Sequence, residues 1–388
     1  MVSSVARWAP GLVVASAVTL AVTALAVPRL HARDEVRALW VVRTSLTSPQ
    51  AIDDMVTAAQ QSGFNTLLVQ VRGRGDAYFL NGVEPRPASL SSQPAFDPLA
   101  VTITKGHARG LAVHAWINVN LVAGTDVPAT RGHIAYRHPE WLMVPRQIAD
   151  DLAALDPAGP EYLGRLTRFA RARSAEIEGL YLSPATPAAV EYTTSVVRDI
   201  VQRYAVDGVH FDYLRYPSDD FDYSRETLRA FGQSVTRFPD RFRRFRADRL
   251  TALLTQLRKA VKIARPAAAV SVAVAPDPVE ASAERLQDWS AWLNQGLMDV
   301  VCPTAYTTDA AAFASQIAAA QSAAGQHPIW AGIGAYHLSS EQTLDNIQAA
   351  RRIGVGGIIL FSYDSLIAPT RASGYLSQLG KAAFSPQF

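Results

Sequence analysis

What this 388-residue sequence lacks narrows its class before any motif is found. It holds one cysteine, Cys302, inside the apolar run DVVCPTAY, which excludes an intrachain disulfide framework and a cysteine-built metal site. No GxGxxG follows the first apolar run of the body, so a dinucleotide-binding sheet has little support. HExxH and GxSxG are absent as well, which removes the usual signatures of zinc and serine hydrolases. Charge is sparse: 18% of residues are charged and the net charge is +3, too small by itself to argue for nucleic acid. With 49% of residues hydrophobic, the composition is that of a folded globular chain.

Residues 1–32 stand apart from the rest. Arg7 precedes the uncharged run GLVVASAVTLAVTALAV (11–27), and ALA at 24–26 offers a small-residue cleavage site. The run is also near the lower length limit for a membrane span. A cleaved signal peptide and an uncleaved N-terminal anchor are both open. Either one implies export to the periplasm or cell envelope, with membrane contact only through this segment. Residues 33–388 carry the fold.

From Val36 onward short apolar runs alternate with helical stretches. The expected strands cover 36–43, 64–72, 111–118, 207–214, 269–276, 298–306, 328–334 and 356–364. SPQAIDDMVTAAQQSG begins at Ser-Pro and stops at Gly63, and DPLAVTITKGHARG and SSEQTLDNIQAARRIG show the same punctuation. Eight strands alternating with helices imply parallel pairing through right-handed crossovers, and closure into a single (β/α)8 TIM barrel leaves no sheet edge. An open doubly wound sheet is the alternative. The connection after Asn118 is far longer than the others, and insertions of that length are usually functional. The arginine-rich stretch 237–266 reads as the helix after the fourth strand. Its Phe and Leu residues trace one face and its arginines fall mostly on the solvated side.

Strand alternation then sorts the polar residues. In VDGVHFDYLRYP (206–217), Val209 and Phe211 face the helices, which turns Gly208, His210 and Asp212 into the barrel. The same rule turns His114, Trp116 and Asn118 inward on the third strand and Gln70 and Arg72 on the second. On the fifth strand it turns Ser271, Ala273, Ala275 and, just past the strand end, Asp277 inward. These polar ends converge on the C-terminal mouth, where barrel enzymes build their sites. The mouth gathers Asp76, Asp212, Asp277 and Asp364 beside Trp116, Tyr213, Tyr306, Tyr336 and Tyr363. Sugar rings stack on aromatic faces and paired carboxyl groups cleave glycosidic bonds, so the combination points to a glycan. Asp207, at the start of its strand, is expected to be structural. A metal held by His114, His210 and Asp212 is the minority reading.

Several stretches occur in the order found in one known family: RALWVVRT, GFNTLLVQVRGRGDAYF, FDPLAVTITKGHARGLAVHAWIN, HPEWLM, YAVDGVHFDYLRYP and ILFSYDSL. From about Val36 to about Leu366 the chain resembles the glycosyl-hydrolase-like family ten, exported bacterial TIM-barrel proteins. The resemblance implies a glycoside hydrolase acting on cell-envelope polysaccharide, particularly peptidoglycan glycan strands without stem peptides. Many members read HFDDY where this chain has His210-Phe211-Asp212-Tyr213, so Tyr213 replaces a second aspartate. Asp277 has alternation behind it but no counterpart in the resemblance. The short tail after the last strand leads us to expect no appended wall-binding module.

The expected chemistry is glycan hydrolysis with no cofactor and no metal. Asp212 is the nucleophile or the base that orients water. Asp277, then Asp364, then Asp76 is the acid that protonates the leaving oxygen. For Asp364 the parity of ILFSYDSL allows either it or Tyr363 to point inward. Arg72, His114, Asn118, His210 and Arg215 bind sugar hydroxyls or steady the carboxylates, and Trp116, Tyr306 and Tyr363 supply stacking surfaces. An N-acetylated substrate could instead supply its own amide as nucleophile. Two other classes stay open: a non-catalytic glycan-binding barrel, and a metal-dependent envelope deacetylase.

Overall fold

The computed structural model describes residues 1–2, 35–372 and 374–384. The expected export segment lies, beyond its first two residues, outside them. From Glu35 onward the chain forms one compact unit. Among the described residues no helix is long and apolar enough to cross a membrane.

Eight parallel strands close into a barrel, as the alternation of apolar runs predicts. They are β1 (Val36–Val41), β2 (Thr66–Arg72), β3 (Ala112–Asn118), β6 (Gly208–Asp212), β7 (Ala269–Val274), β8 (Val300–Ala305), β9 (Trp330–Ile333) and β10 (Gly357–Leu360). The closed order is β1-β10-β9-β8-β7-β6-β3-β2. The crossover helices start where their punctuation says. Ser48 caps Pro49–Gln61 through the Ala51 N–H, Asp97 caps Pro98–Ala108, and Ser339 forms a capping box with Gln342 before Ser340–Ile353.

Strand parity divides the core in two. Leu67, Val69, Val113, Ala115, Ile117, Val209 and Phe211 join the large outer cluster between strands and helices. Trp40, Leu68, Trp116, Cys302, Trp330 and Ile359 fill the barrel interior. Those indoles leave little room. A Cβ at Gly208 would lie 2.5 Å from the His114 ring, and one at Gly332 would lie 2.9 Å from Trp40.

Parity fails in one place on the second strand. Gln70 pairs with Trp116 but Arg72 pairs with Ile117, so a bulge at Val71 puts Arg72 on the outer face. The side chain expected in the barrel is instead fully buried outside it. Its Nε and Nη2 each donate to Glu84 at 2.7 Å, and its Nη1 donates to the Asn118 and Val119 carbonyls, the latter at 2.9 Å. Burial works against this guanidinium, but the Glu84 charge prevails and holds its pKa above the usual value.

The long insertion after β3 carries two further strands that the sequence reading did not anticipate, β4 (Leu121–Ala123) and β5 (Leu180–Tyr181). They pair antiparallel, Leu121 with Tyr181 and Ala123 with Leu180. Gly179 sits at φ +153°, and a Cβ there would fall 1.9 Å from the Ala123 carbonyl oxygen, so only glycine lets the chains approach. The helix expected over 237–266 spans Pro239–Ala264. One arginine departs from the expected solvated face: Arg246 is buried, ion-paired to Asp219 at 2.8 Å and lying over the Phe242 ring at 4.4 Å.

Candidate active site

At the C-terminal end of the barrel lies a cavity of about 450 Å³. Asp212 ends β6 and faces it. The Asp212 Oδ1 accepts the Tyr213 N–H at 2.7 Å, and its Oδ2 accepts the Trp116 indole N–H at 3.2 Å. Tyr213 adopts φ +51°, a left-handed conformation uncommon in a side-chain-bearing residue, and so breaks the strand at this point. Burial pushes the Asp212 carboxyl above its ordinary value, against the opposing pull of the Tyr213 N–H bond and the Arg215 charge.

A second carboxylate lines the same cavity, and the sequence reading missed it: Glu178, from the insertion. The Arg215 Nη2 donates to its Oε1 at 2.7 Å and the Tyr181 hydroxyl donates to its Oε2 at 2.5 Å. Burial alone would raise the Glu178 pKa, but the Arg215 charge and these two bonds outweigh it and hold the carboxyl below its ordinary value. Arg215 is itself held over the Tyr213 ring at 4.8 Å. Tyr213, where the family resemblance led us to expect a second aspartate, thus carries a ring that stacks on the arginine of the second carboxylate.

The walls combine aromatic and polar groups. Trp116, Tyr306 and Phe361 supply rings, and Asn118, Gln70, Arg43, Arg74 and Arg285 supply donors and acceptors. Asn118 donates to the Gly73 carbonyl at 2.9 Å, and Arg43 donates to Gln70 Oε1 at 2.7 Å. Of the residues expected here, Trp116, Asn118, Asp212, Tyr213, Arg215 and Tyr306 line the cavity.

The others stand elsewhere. His114 and His210 lie in the barrel interior beneath the cavity. Trp40 Nε1 donates to His210 Nε2 at 3.1 Å, which fixes the tautomer, so His210 Nδ1–H donates to Ser271 Oγ at 2.9 Å. Burial, with a smaller push from His114, lowers the His210 pKa to about 3. Burial lowers the His114 pKa to about 4, and that ring packs 5.7 Å from Trp330. Both are neutral at neutral pH.

The three acids named as proton donors are all occupied. Asp277 is exposed and caps the helix Pro278–Arg285, accepting from the Val279 and Glu280 N–H groups at 2.7 and 3.0 Å. β7 ends at Val274, so strand alternation does not extend to it. Asp364 accepts from the Val42 N–H at 2.8 Å and from the Thr44 and Ser45 hydroxyls, which ties the end of β1 to the turn after β10. Tyr363 is buried in the outer cluster, because β10 stops at Leu360 and a helical turn begins at Tyr363; Phe361 lines the cavity instead. Asp76 accepts from the Gly73 and Arg74 N–H groups at 3.0 and 2.8 Å and shapes the loop beside the cavity. Asp207 is structural, accepting from the Val113 N–H at 2.7 Å.

Comparison with known proteins agrees with this architecture. The glycoside hydrolase domain of PgaB (BpsB) from Bordetella bronchiseptica superposes with a TM-score of 0.66 at 15% identity, covering 91% of this chain and all of that one. The α-L-fucosidase isoenzyme 2 from Paenibacillus thiaminolyticus gives 0.63 at 17% identity, covering 90% of this chain and 49% of that one. At these identities the likeness is one of fold. In sequence, glycosyl hydrolase DigH of Escherichia coli is 25% identical, over 66% of this chain and 58% of its own length. Glycosyl hydrolase YngK of Bacillus subtilis is 24% identical, over 64% of this chain and 47% of its own. The chain thus spans about half the length of these relatives. The family model described as glycosyl hydrolase-like 10 matches residues 35–342, and the chain belongs to that family.

Proposed function

We propose that the protein is an exported glycoside hydrolase of the cell envelope in which Asp212 is the general acid and Glu178 the ionised partner. One observation carries this reading: two carboxyl groups face one aromatic-walled cavity with their proton affinities displaced in opposite directions. Environments that push two carboxyls apart assign their roles. Asp212 retains its proton further up the pH scale and delivers it to the leaving glycosidic oxygen. Glu178 stays charged, and attacks the anomeric carbon or draws a proton from water, according to the separation of the two groups. This reverses the part expected of Asp212 from alternation alone. It also supplies the second carboxyl group whose lack kept a non-catalytic reading open. The metal-dependent alternative needs a free His210 nitrogen, and both are engaged by Trp40 and Ser271.

For the substrate we infer an acidic glycan of the envelope, with peptide-free peptidoglycan strands as the specific case. Four arginines, Arg43, Arg74, Arg215 and Arg285, line the cavity with the two carboxyl groups Asp212 and Glu178, and only Arg215 among the four is ion-paired to Glu178. Each muramyl residue stripped of its peptide bears a free lactyl carboxylate, which suits that excess of positive charge. Release of new reducing ends from such strands tests the proposal. The parent protein is expected to release them, and Asp212→Asn to do so about 10²–10⁴-fold more slowly. Binding without release from any glycan tried would sink the hydrolase reading, and full activity in Asp212→Asn would remove Asp212 from the chemistry.

A further inference from the structure

We propose that a second cavity, beyond Arg74, holds the next sugars of the chain whose scissile bond lies at Asp212 and Glu178. This rests on the glycan-hydrolase reading above and adds to it a preference for chain length. The second cavity has a volume of about 380 Å³, and Arg74 belongs to the lining of both. Each volume falls in the range of small-molecule sites, and neither alone holds an extended polymer.

The partition between them is a short, fixed loop. Asp76 holds the N–H groups of Gly73 and Arg74, and the His133 ring bonds the Arg74 carbonyl at 2.7 Å. Gly75, at φ +64°, lets the loop pass close to His133, where a Cβ would come within 2.6 Å of the ring. The backbone is therefore pinned, while the Arg74 side chain reaches toward the first cavity, 6.0 Å from the Tyr213 ring. Arg74 is the residue common to both linings, so the proposed path of the chain runs past its side chain from the first cavity to the second.

The lining chemistry selects the occupant. Pro85, Pro87 and Pro128 offer flat apolar surfaces, with Arg74, Asp76 and Thr130 as polar points between them. A second arginine, Arg86, would suggest an anion site, but its guanidinium donates to the carbonyls of Phe79, Gln93 and Phe96. Asp76 and Asp126 add negative charge to the same wall. With Arg86 engaged and Asp76 and Asp126 on the wall, this cavity suits the neutral N-acetylated sugar units of the chain rather than its lactyl carboxylates or a phosphate.

The test uses peptide-free peptidoglycan oligosaccharides of two, four and six sugars, titrated calorimetrically into Asp212→Asn so that binding is read without turnover. Affinity is expected to rise about tenfold or more between the shortest and longest chains. Ala129 is exposed and lines the second cavity, and Ala129→Trp in the same background is expected to remove that gain. Retained binding of the disaccharide by the double variant shows that it is folded. Equal affinity at all three lengths, or an undiminished gain with Ala129→Trp, overturns the second site alone. Binding of none of the three overturns the glycan reading of the first cavity together with it.

Discussion

His210 and Asp212 lie two residues apart on β6, face the same way, and do opposite things. His210 sits in the barrel interior with both nitrogens engaged, and is held neutral by burial. Asp212 sits one step nearer the mouth, its oxygens accepting from Tyr213 and Trp116 while the carboxyl faces the cavity. His210 is fully buried and Asp212 half-buried. The difference lies in whether the surrounding groups use up their bonding capacity or leave some for a ligand. Around His210 the interior is a closed network of Trp40, His210 and Ser271. The mouth is an open one in which Arg215 and Tyr181 fix Glu178 as an anion while Asp212 is pushed toward its acid form. Depth in the barrel thus separates packing from chemistry along a single strand.

The strongest way to break this contrast is Glu178→Gln. It is expected to lower the hydrolysis rate by about 10³-fold, on the scale of lost acid–base catalysis, while the barrel stays folded by circular dichroism. A fall of tenfold or less would return Glu178 to a structural ion pair with Arg215. Next in size is His210→Ala, which belongs to the interior and is expected to cost about 2–4 kcal/mol of unfolding free energy in urea titration.

The same region sets the acid stability. His210 and His114 have folded pKa values lowered to about 3 and about 4, so the unfolded chain takes up their protons first as pH falls below about 6.5. Stability from these groups is present above that value and declines by about 1.4 kcal/mol per pH unit for each histidine until its folded pKa is reached. His210→Ala should therefore flatten the decline, and an unchanged slope would place the acid sensitivity elsewhere. The smallest effect separates Asp277 from the mouth: Asp277→Ala is expected to cost about 1 kcal/mol of stability through the lost helix cap and nothing in kcat/KM.

The barrel was legible because eight apolar runs and their Ser-Pro, Asp-Pro and Ser-Ser-Glu starts repeat one grammar at regular spacing. Alternation also turned Trp116, Asn118, His210 and Asp212 to the correct face, since β3 and β6 run without interruption. It failed where the backbone leaves ideal geometry. A single bulged residue at Val71 carried Arg72 out of the barrel, and alternation has no meaning past Val274 or Leu360, so Asp277 and Tyr363 went elsewhere. Glu178 was missed because it is placed by β5, a strand of two residues whose partner β4 lies far back in the chain. No local period marks such a pairing. The available hint was a lone glutamate followed by glycine within the apolar stretch IEGLYL, beside a glycine that no other residue could replace.

The most direct test of the account is the direction in which each of the two mouth carboxyls is displaced from its ordinary pKa. Carbon-13 carboxyl labelling followed by NMR titration reads both groups in one sample, with Asp212→Asn and Glu178→Gln assigning the signals. Free side chains titrate near 3.9 for Asp and 4.3 for Glu. The account predicts that Glu178 ionises below its ordinary value and Asp212 above its own. Asp212 ionising at or below its ordinary value, or Glu178 at or above its own, would contradict it.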